Sequence, residues 1–494
     1  MHANGRQLTT GARAPAALAP GLGAALVVSV LAVAVGLAVA FNLRIGTGLA
    51  FAALAVPLAL VDLPLVLALW VALAVFSQDP AFGQATSAVG LVVIGAWLAH
   101  GRGHRAALRS ALRPHRPLLA VLGLLLAWLT LSLAWSHDIG AAAGKLVDWY
   151  IAAAVLVVFV TSVRTPRDVR LVVGALVLAV VAAVGFALAG VQLGPPQTDP
   201  TVSTDGRLEG VIGDPNFMAA FIVGAVVLCL AFAAMVGPVS RALLVPAAFV
   251  LVVGLAATAS RGGLLAALAA LITAVALLRG RRGSVLAAGA VGALVAVVWF
   301  SANPAAFERL QSVREDRGSG RQDLWLVARR VSADHPIGGV GLANFTVRSR
   351  EYVRRPGTLE YVDLIVDRPH VVHNTYLQML AETGAVGSGL FLALVAAAVA
   401  AAIRAAQRFE RAGDRTLAHV SRVAAVADVG LLTAAIFISL QATTTFWLVL
   451  VLGPILFGLA SARHPQAARL RAVGVSRASF RHGPTRAPAA RFGR

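Results

Sequence analysis

Apolar residues run through this chain in long blocks, broken by short stretches rich in Arg, Asp, Gly and Pro. Fourteen blocks can be drawn, at 22–41, 47–61, 63–77, 85–100, 117–135, 147–163, 169–190, 216–236, 240–258, 262–279, 284–300, 385–404, 423–441 and 444–461. A helix needs about 17 to 25 residues to cross about 30 Å of hydrocarbon, and slightly less when its ends reach the headgroups. The second and third blocks are short and separated only by Asp62 and Pro64, so they are read as re-entrant, merged or separate, giving 12 or 14 spans. The first block ends in FNLRIG without a small-residue cleavage pattern and is read as retained. One long polar stretch, 301–372, interrupts the series. The expected fold is all-α, a polytopic transmembrane helix bundle with one large extracytoplasmic loop. The expected division is a tail at 1–20, spans over 21–300, a loop over 301–384 ending in its own helix, spans over 385–461, and a basic tail at 462–494.

Composition agrees with the block pattern. A mean hydropathy of +0.81 with 59% hydrophobic residues does not describe a water-soluble globule. The net charge of +20 comes from arginine, since Lys145 is the single lysine. Alternating the spans puts 27 basic residues in the tails and short loops of one side and four, Arg44, Lys145, Arg207 and Arg261, on the other. The remaining 11 lie in the long loop, which the positive-inside rule does not govern. Both termini are therefore expected in the cytoplasm of a multi-pass protein of the cytoplasmic (inner) membrane. The arginines form no patch with interleaved aromatics, which argues against nucleic acid as a partner. The lone Cys229 sits in an apolar run, so neither a disulfide framework nor a thiolate metal site is expected.

Four polar stretches stand out, and the arginine-derived topology places all of them on the outer side. They are GRLEGVIGDPNFMAAF (206–221), ATASRGGLLA (257–266), SGRQDLWLVARRVSADHPIGGVGLANF (319–345) and HNTYLQMLAETG (373–384). In the last, Thr375 and Gln378 have capping-box spacing, an apolar face follows, and Gly384 suits a helix stop. His373 then precedes a helix start, where the positive dipole end keeps an imidazole neutral and able to act as a general base. A loop-stabilising histidine is the competing reading. Arg261 lies at a membrane edge and either snorkels to headgroups or binds an anion, with Gly262 and Gly263 leaving backbone N–H groups approachable. Arg207 shares its loop with Asp205, Glu209 and Asp214 and reads equally as an ion-paired loop residue, while Pro215 and Asn216 read as a turn into the next span. GGVGLANF lacks the Lys-Ser/Thr of a P-loop and the third glycine of a dinucleotide fingerprint, so its glycines shape a turn. His335, His370 and His373 lack metal-ligand spacing; no metal and no cofactor is expected.

Taken together, these motifs resemble the O-antigen ligase and O-antigen polymerase family. The resemblance rests on Arg207 with Pro215-Asn216, on Ser260-Arg261-Gly262-Gly263, on Arg321 through Phe345, and on His373-Asn374 through Gly384 and Gly387, covering roughly 200–400. It implies a membrane glycosyltransferase that moves a glycan from a polyprenyl-pyrophosphate carrier to an acceptor hydroxyl on a glycan or glycolipid, in cell-envelope polysaccharide biosynthesis. It further implies His373 as catalytic base, and Arg207, Arg261, Arg321, Asn216 and Asn374 as substrate-binding residues. The partners implied are the lipid-linked donor, the acceptor and membrane lipid. Ligase and polymerase share the donor chemistry and are not separated by these residues. A transporter or flippase for a lipid-linked glycan stays open as another class, although no internal repeat supports it, and so does a non-catalytic membrane partner in envelope assembly.

Overall fold

A computed structural model describes residues 42–103, 105–191, 207–311, 320–353, 359, 363–366 and 370–463. The apolar block at 22–41, the N-terminal tail and nearly all of the basic C-terminal tail lie outside these residues. The described chain is all-helical, without strands. Its helices are α1 (Leu43–Val61), α2 (Leu63–Val75), α3 (Pro80–Gly103), α4 (Arg105–Leu112), α5 (Arg116–Leu131), α6 (Ile139–Ser162), α7 (Pro166–Leu188), α8 (Pro215–Met235), α9 (Pro238–Ala242), α10 (Leu244–Ala257), α11 (Arg261–Leu277), α12 (Arg282–Ala302), α13 (Pro304–Gln311), α14 (Arg321–Asp334), α15 (Phe345–Arg348), α16 (Asp363–Val366), α17 (Thr375–Arg411), α18 (Arg415–Ala434) and α19 (Thr444–Leu450). A further helical stretch follows α19 directly and ends at residue 463. Among the described residues, ten segments are long and apolar enough to cross a membrane, and three shorter apolar helices accompany them. The protein is thus a polytopic helical membrane protein.

The breaks between apolar blocks are helix caps. Asp62 accepts from Leu65 N, Asp138 from Ala141 N, Asp214 from Asn216 N and Phe217 N, Ser260 from Gly263 N, Asn374 from Tyr376 N and Leu377 N, and Asp414 from Leu417 N. Thr165 and Asp168 form a reciprocal capping box at the start of α7. Such oxygens satisfy backbone donors that neither lipid nor protein carbonyls reach, each contributing about 1 kcal/mol. The merged reading of the second and third apolar blocks is corrected. They form two helices that part at Asp62, whose carboxylate caps α2 and pairs with Arg167 at 2.7 Å.

Helix α8 lies at the centre, packed by α7, α10, α11 and α18, while α17 packs on α5 and α18, α1 on α3, and α2 on α7. Small residues permit the close approaches: a Cβ at Gly254 would lie 2.4 Å from Val184, and one at Gly263 would lie 2.5 Å from Ala219. The outward faces carry Leu265, Leu268 and Ile272 on α11 and Leu286, Val291, Leu294, Val297 and Val298 on α12, all exposed in the isolated chain and suited to lipid.

Hydrogen bonds sort the loops onto two ends of the bundle. At one end, Arg164 donates to the Ala107 carbonyl and Arg463 pairs with Asp414, while Arg241, Arg281 and Arg415 line one cavity. At the other end, Arg207 reaches Thr258, Asp138 meets Asn344, and Thr375 bonds Ala435 and Ile438. The four polar stretches all belong to this second end. A second, smaller core forms there from Leu324, Val327, Ala328 and Val331 of α14 with Val340, Phe345, Tyr352, Ile365, Val372 and Ala381. The described part of the long polar stretch thus folds as a cap on the start of α17.

Candidate functional site

The capping box expected at Thr375 and Gln378 is replaced by another arrangement. The N-cap of α17 is Asn374, and the Thr375 hydroxyl instead donates to Ile438 O (2.8 Å) and accepts from Leu440 N (2.8 Å). The turn at 435–443, absent from any motif, therefore clamps the start of α17. Gln378 accepts from Ser439 and donates from Nε2 to Glu382 Oε1 at 3.0 Å. Glu382 Oε2 accepts the Ala343 amide at 3.0 Å, so the buried carboxylate ties α17 to the GGVGLANF turn.

That turn seals a break in α17. Gly384 has φ 65° and ψ −169°, a conformation open to glycine alone, and the helix resumes directly after it. A helix stop was expected at this position, and the first helical segment does end at Gly384; a second begins directly after it, so the two are joined across a kink. Backbone groups freed by the kink find partners in Val340 N to Ala381 O, Gly341 N to Glu382 O and Ala385 N to Pro336 O, at 3.0, 2.9 and 2.8 Å. Trp128 Nε1 donates to Thr383 O at 2.9 Å. Fully buried Asn344 joins the turn to the α5–α6 connection, accepting from Asp138 N (2.7 Å) and donating to Asp138 O (3.2 Å).

On the facing side, the Arg207 guanidinium donates to Thr258 O (2.8 Å) through Nε and to Asn216 Oδ1 (3.3 Å) through Nη2. Ser260 Oγ donates to the same Asn216 oxygen at 2.9 Å while accepting from Gly263 N at 3.1 Å. Arg207, Asn216 and Ser260 thus form one network that fixes the start of α11, where half-buried Arg261 is the first helical residue. The room expected beside Gly262 and Gly263 is filled by protein. A Cβ at Gly262 would lie 2.9 Å from Phe437, and Gly263 packs on Ala219 and bonds Ser260. These glycines serve helix packing.

His373 sits where the two sides meet. Burial drives its imidazole down to about 4, Arg321 at the start of α14 and His370 push in the same direction, and Asp214 opposes them. The ring is therefore neutral near pH 7, and the first cause is enclosure, where the sequence pointed to a helix dipole. His370 stands with its ring centroid 6.2 Å from that of His373. The influence of Asp214, which caps α8 and adjoins Asn216, brings the Arg207 loop to His373. Trp325 of α14 lies 6.4 Å from Phe437, which itself covers Gly262, so α14, the 435–443 turn and the start of α11 are contiguous. Asn216 and Asn374 are both present at this end, each with its Oδ1 engaged in the scaffold.

The described non-glycine residues with positive φ are Ala259 (44°), Ala343 (56°) and His373 (53°). Each stands one residue before an N-cap, Ser260, Asn344 and Asn374 respectively. Left-handed backbone at such residues costs of order 1–3 kcal/mol and concentrates where the surroundings over-determine a functional geometry. No periodicity or propensity in the sequence marks these positions. The reach of Asp214 to His373 and the 435–443 turn were likewise missed, since their roles arise from contacts between distant segments.

An enclosed neutral imidazole beside guanidinium groups, at one end of a multi-span helical bundle, can accept a proton next to a bound anion. That defines a membrane protein with a polar cluster of candidate site residues at one bundle end. Residues 246–392, which hold Arg261, Arg321, His373 and Asn374, match the family model described as O-antigen ligase. Arg207 and Asn216 lie before the matched segment. No curated protein matches the chain.

Proposed function

We propose that the protein transfers a glycan from a polyprenyl-pyrophosphate carrier to an acceptor hydroxyl at the outer face of the cytoplasmic membrane, without a metal. The observation that carries this reading is the enclosed His373 next to Arg321, with the Arg207–Asn216–Ser260 network holding Arg261 at the same bundle end. His373 takes the proton of the acceptor hydroxyl, the oxygen attacks the anomeric carbon, and the bond from that carbon to the pyrophosphate oxygen breaks. The pyrophosphate departs on its lipid. Arg261 and Arg321 stabilise the charge that builds on it, because guanidinium forks bind phosphate oxygens in pairs and remain charged in a site of low polarity. Arg207, Asn216 and Asn374 hold these groups in place. In the free protein His373 is a weak base; the negative charge of a bound pyrophosphate raises its affinity for the proton at the moment the acceptor must be deprotonated.

The direct test incubates the purified protein with a defined polyprenyl-pyrophosphate glycan and candidate hydroxyl acceptors in the presence of a chelator, and identifies the product. A new glycosidic linkage with release of the lipid pyrophosphate is expected. Movement of an intact donor across the bilayer with no linkage formed would replace this reading with a transporter.

Orientation follows from the arginine partition, since the basic end of the bundle is the one expected in the cytoplasm. Arg350→Cys, exposed in the cap, should react with an impermeant thiol reagent on intact cells, and Ala412→Cys, in the exposed turn between α17 and α18, should not. The native Cys229 is buried and leaves little background. Labelling in the opposite order would invert the topology and move the site to the cytoplasm.

The electrostatics of His373 give a pH prediction with two signs. Its base form is lost as pH falls through its pKa, so the acidic limb of kcat/KM is expected well below the usual histidine range. Arg321→Gln removes a repelling cation, raises the pKa and moves that limb to higher pH. Asp214→Asn removes an attracting anion, keeps a good helix cap and moves the limb lower. Measured pH profiles in which both limbs shift the same way would count against the assignment.

A further inference from the structure

At the bundle end opposite the candidate site lies a cavity of about 330 Å³ between the end of α8 and the start of α18. It is lined by Ala233, Ala234, Arg241, Arg281, Arg415, Thr416 and His419. We infer that this cavity is a binding site for a phosphate-bearing anion, seated among Arg241, Arg281, Arg415 and His419. Three guanidinium groups face one space, and among the described residues none of the three forms an ion pair. The carboxylates nearby are already engaged, Asp414 with Arg463 at 2.7 Å and Glu410 with Arg422 at 2.6 Å. Arg241 is held in place by bonds from Nε to Ala233 O (3.0 Å) and from Nη2 to Val236 O (3.2 Å), so it is oriented before any ligand arrives. His419 engages the Leu230 carbonyl, yet its Nε2 is buried and lacks a partner. A buried ring nitrogen without a partner is costly; protonated beside a bound phosphate, Nε2 would donate to a phosphate oxygen, and the anion would neutralise the mutually repelling arginines.

The cavity opens where the apolar helices α8 and α11 end. Basic pockets between spans near their ends bind the headgroups of anionic phospholipids. A free phosphate or pyrophosphate offers the same chemistry, and the two sources are separated by experiment. Protein in phosphatidylcholine nanodiscs is compared with protein in discs that also contain phosphatidylglycerol, reading retained lipid by native mass spectrometry and Tm in parallel. Inorganic phosphate and pyrophosphate are titrated into the phosphatidylcholine discs. Wild type is expected to retain phosphatidylglycerol and to gain Tm from it. Arg281→Gln/Arg415→Gln should lose about tenfold or more in retention, with the single variants intermediate, while Arg109→Gln on exposed α4 changes nothing. Each single variant must match the wild-type Tm in phosphatidylcholine alone, which separates loss of binding from loss of fold. A Tm gain from pyrophosphate that the double variant abolishes assigns the same site to a soluble anion. Equal phosphatidylglycerol retention in wild type and both single variants, with no response to either soluble anion, would overturn the inference. The site is remote from His373, so its failure leaves the proposed transfer reaction untouched.

Discussion

His373→Ala is expected to lower glycan transfer by about 10² to 10⁴, with binding of the lipid-linked donor nearly unchanged. The base acts on the acceptor as the new bond forms, so its loss appears in turnover. The substitution keeps a Cβ at a left-handed position (φ 53°), leaving the backbone cost of this residue as it was. The Asn374 cap and the Thr375 bonds to the 435–443 turn are also undisturbed. A fall in activity without a fall in Tm is thus the signature of a lost base. His370→Ala removes a neighbouring ring that only adds repulsion, and His335→Ala alters the loop after α14; both should be much milder. Near wild-type transfer by the His373→Ala protein, measured at equal membrane abundance, would remove the base from the mechanism.

Arg261→Lys separates a ligand-binding guanidinium from a headgroup anchor. If Arg261 grips pyrophosphate with paired hydrogen bonds, lysine keeps the charge and loses the planar fork. Transfer should then drop by about tenfold to a hundredfold. The fold should persist, because the helix start at Ser260 depends on Ser260, Asn216 and Gly263. If Arg261 only reaches for lipid headgroups, lysine serves equally well. Arg44→Lys, at the first turn of α1 and outside the matched segment, is the control and should be silent. Equal transfer by both variants would leave the anion-binding half of the mechanism resting on Arg321 alone.

The sequence by itself determined the helical bundle and its two ends. In lipid a backbone segment must satisfy its own hydrogen bonds, so an apolar block long enough to span has few alternatives to helix. The apolar blocks among the described residues are helical apart from the end of 423–441, which forms the 435–443 turn, and Asp62, Thr165, Asp214, Ser260 and Asp414 act as caps at the breaks between them. The arginine partition grouped loops that the structure also brings together, because basic loops of one side must sit at one end of the helices they join. Placement of His373, Arg207, Arg261 and Arg321 at a common end was legible in the same way.

Which groups face one another at that end was decided by tertiary structure alone. Asn374 caps α17 in place of Thr375 because the 435–443 turn, distant in sequence, claims the threonine hydroxyl. Gly384 ends one helical segment and a second follows at once, because the 336–343 turn supplies partners for the freed backbone groups. Gly262 and Gly263 have the look of a ligand cradle, yet Phe437 and Ala219 occupy their surfaces. The neutrality of His373 follows from its enclosure and from Arg321 more than from its place before a helix, and the countering charge of Asp214 arrives from another loop. Local spacing reports helix, cap and turn because those interactions span only a few residues; burial and electrostatics depend on which distant segments pack together, and that is settled by the fold.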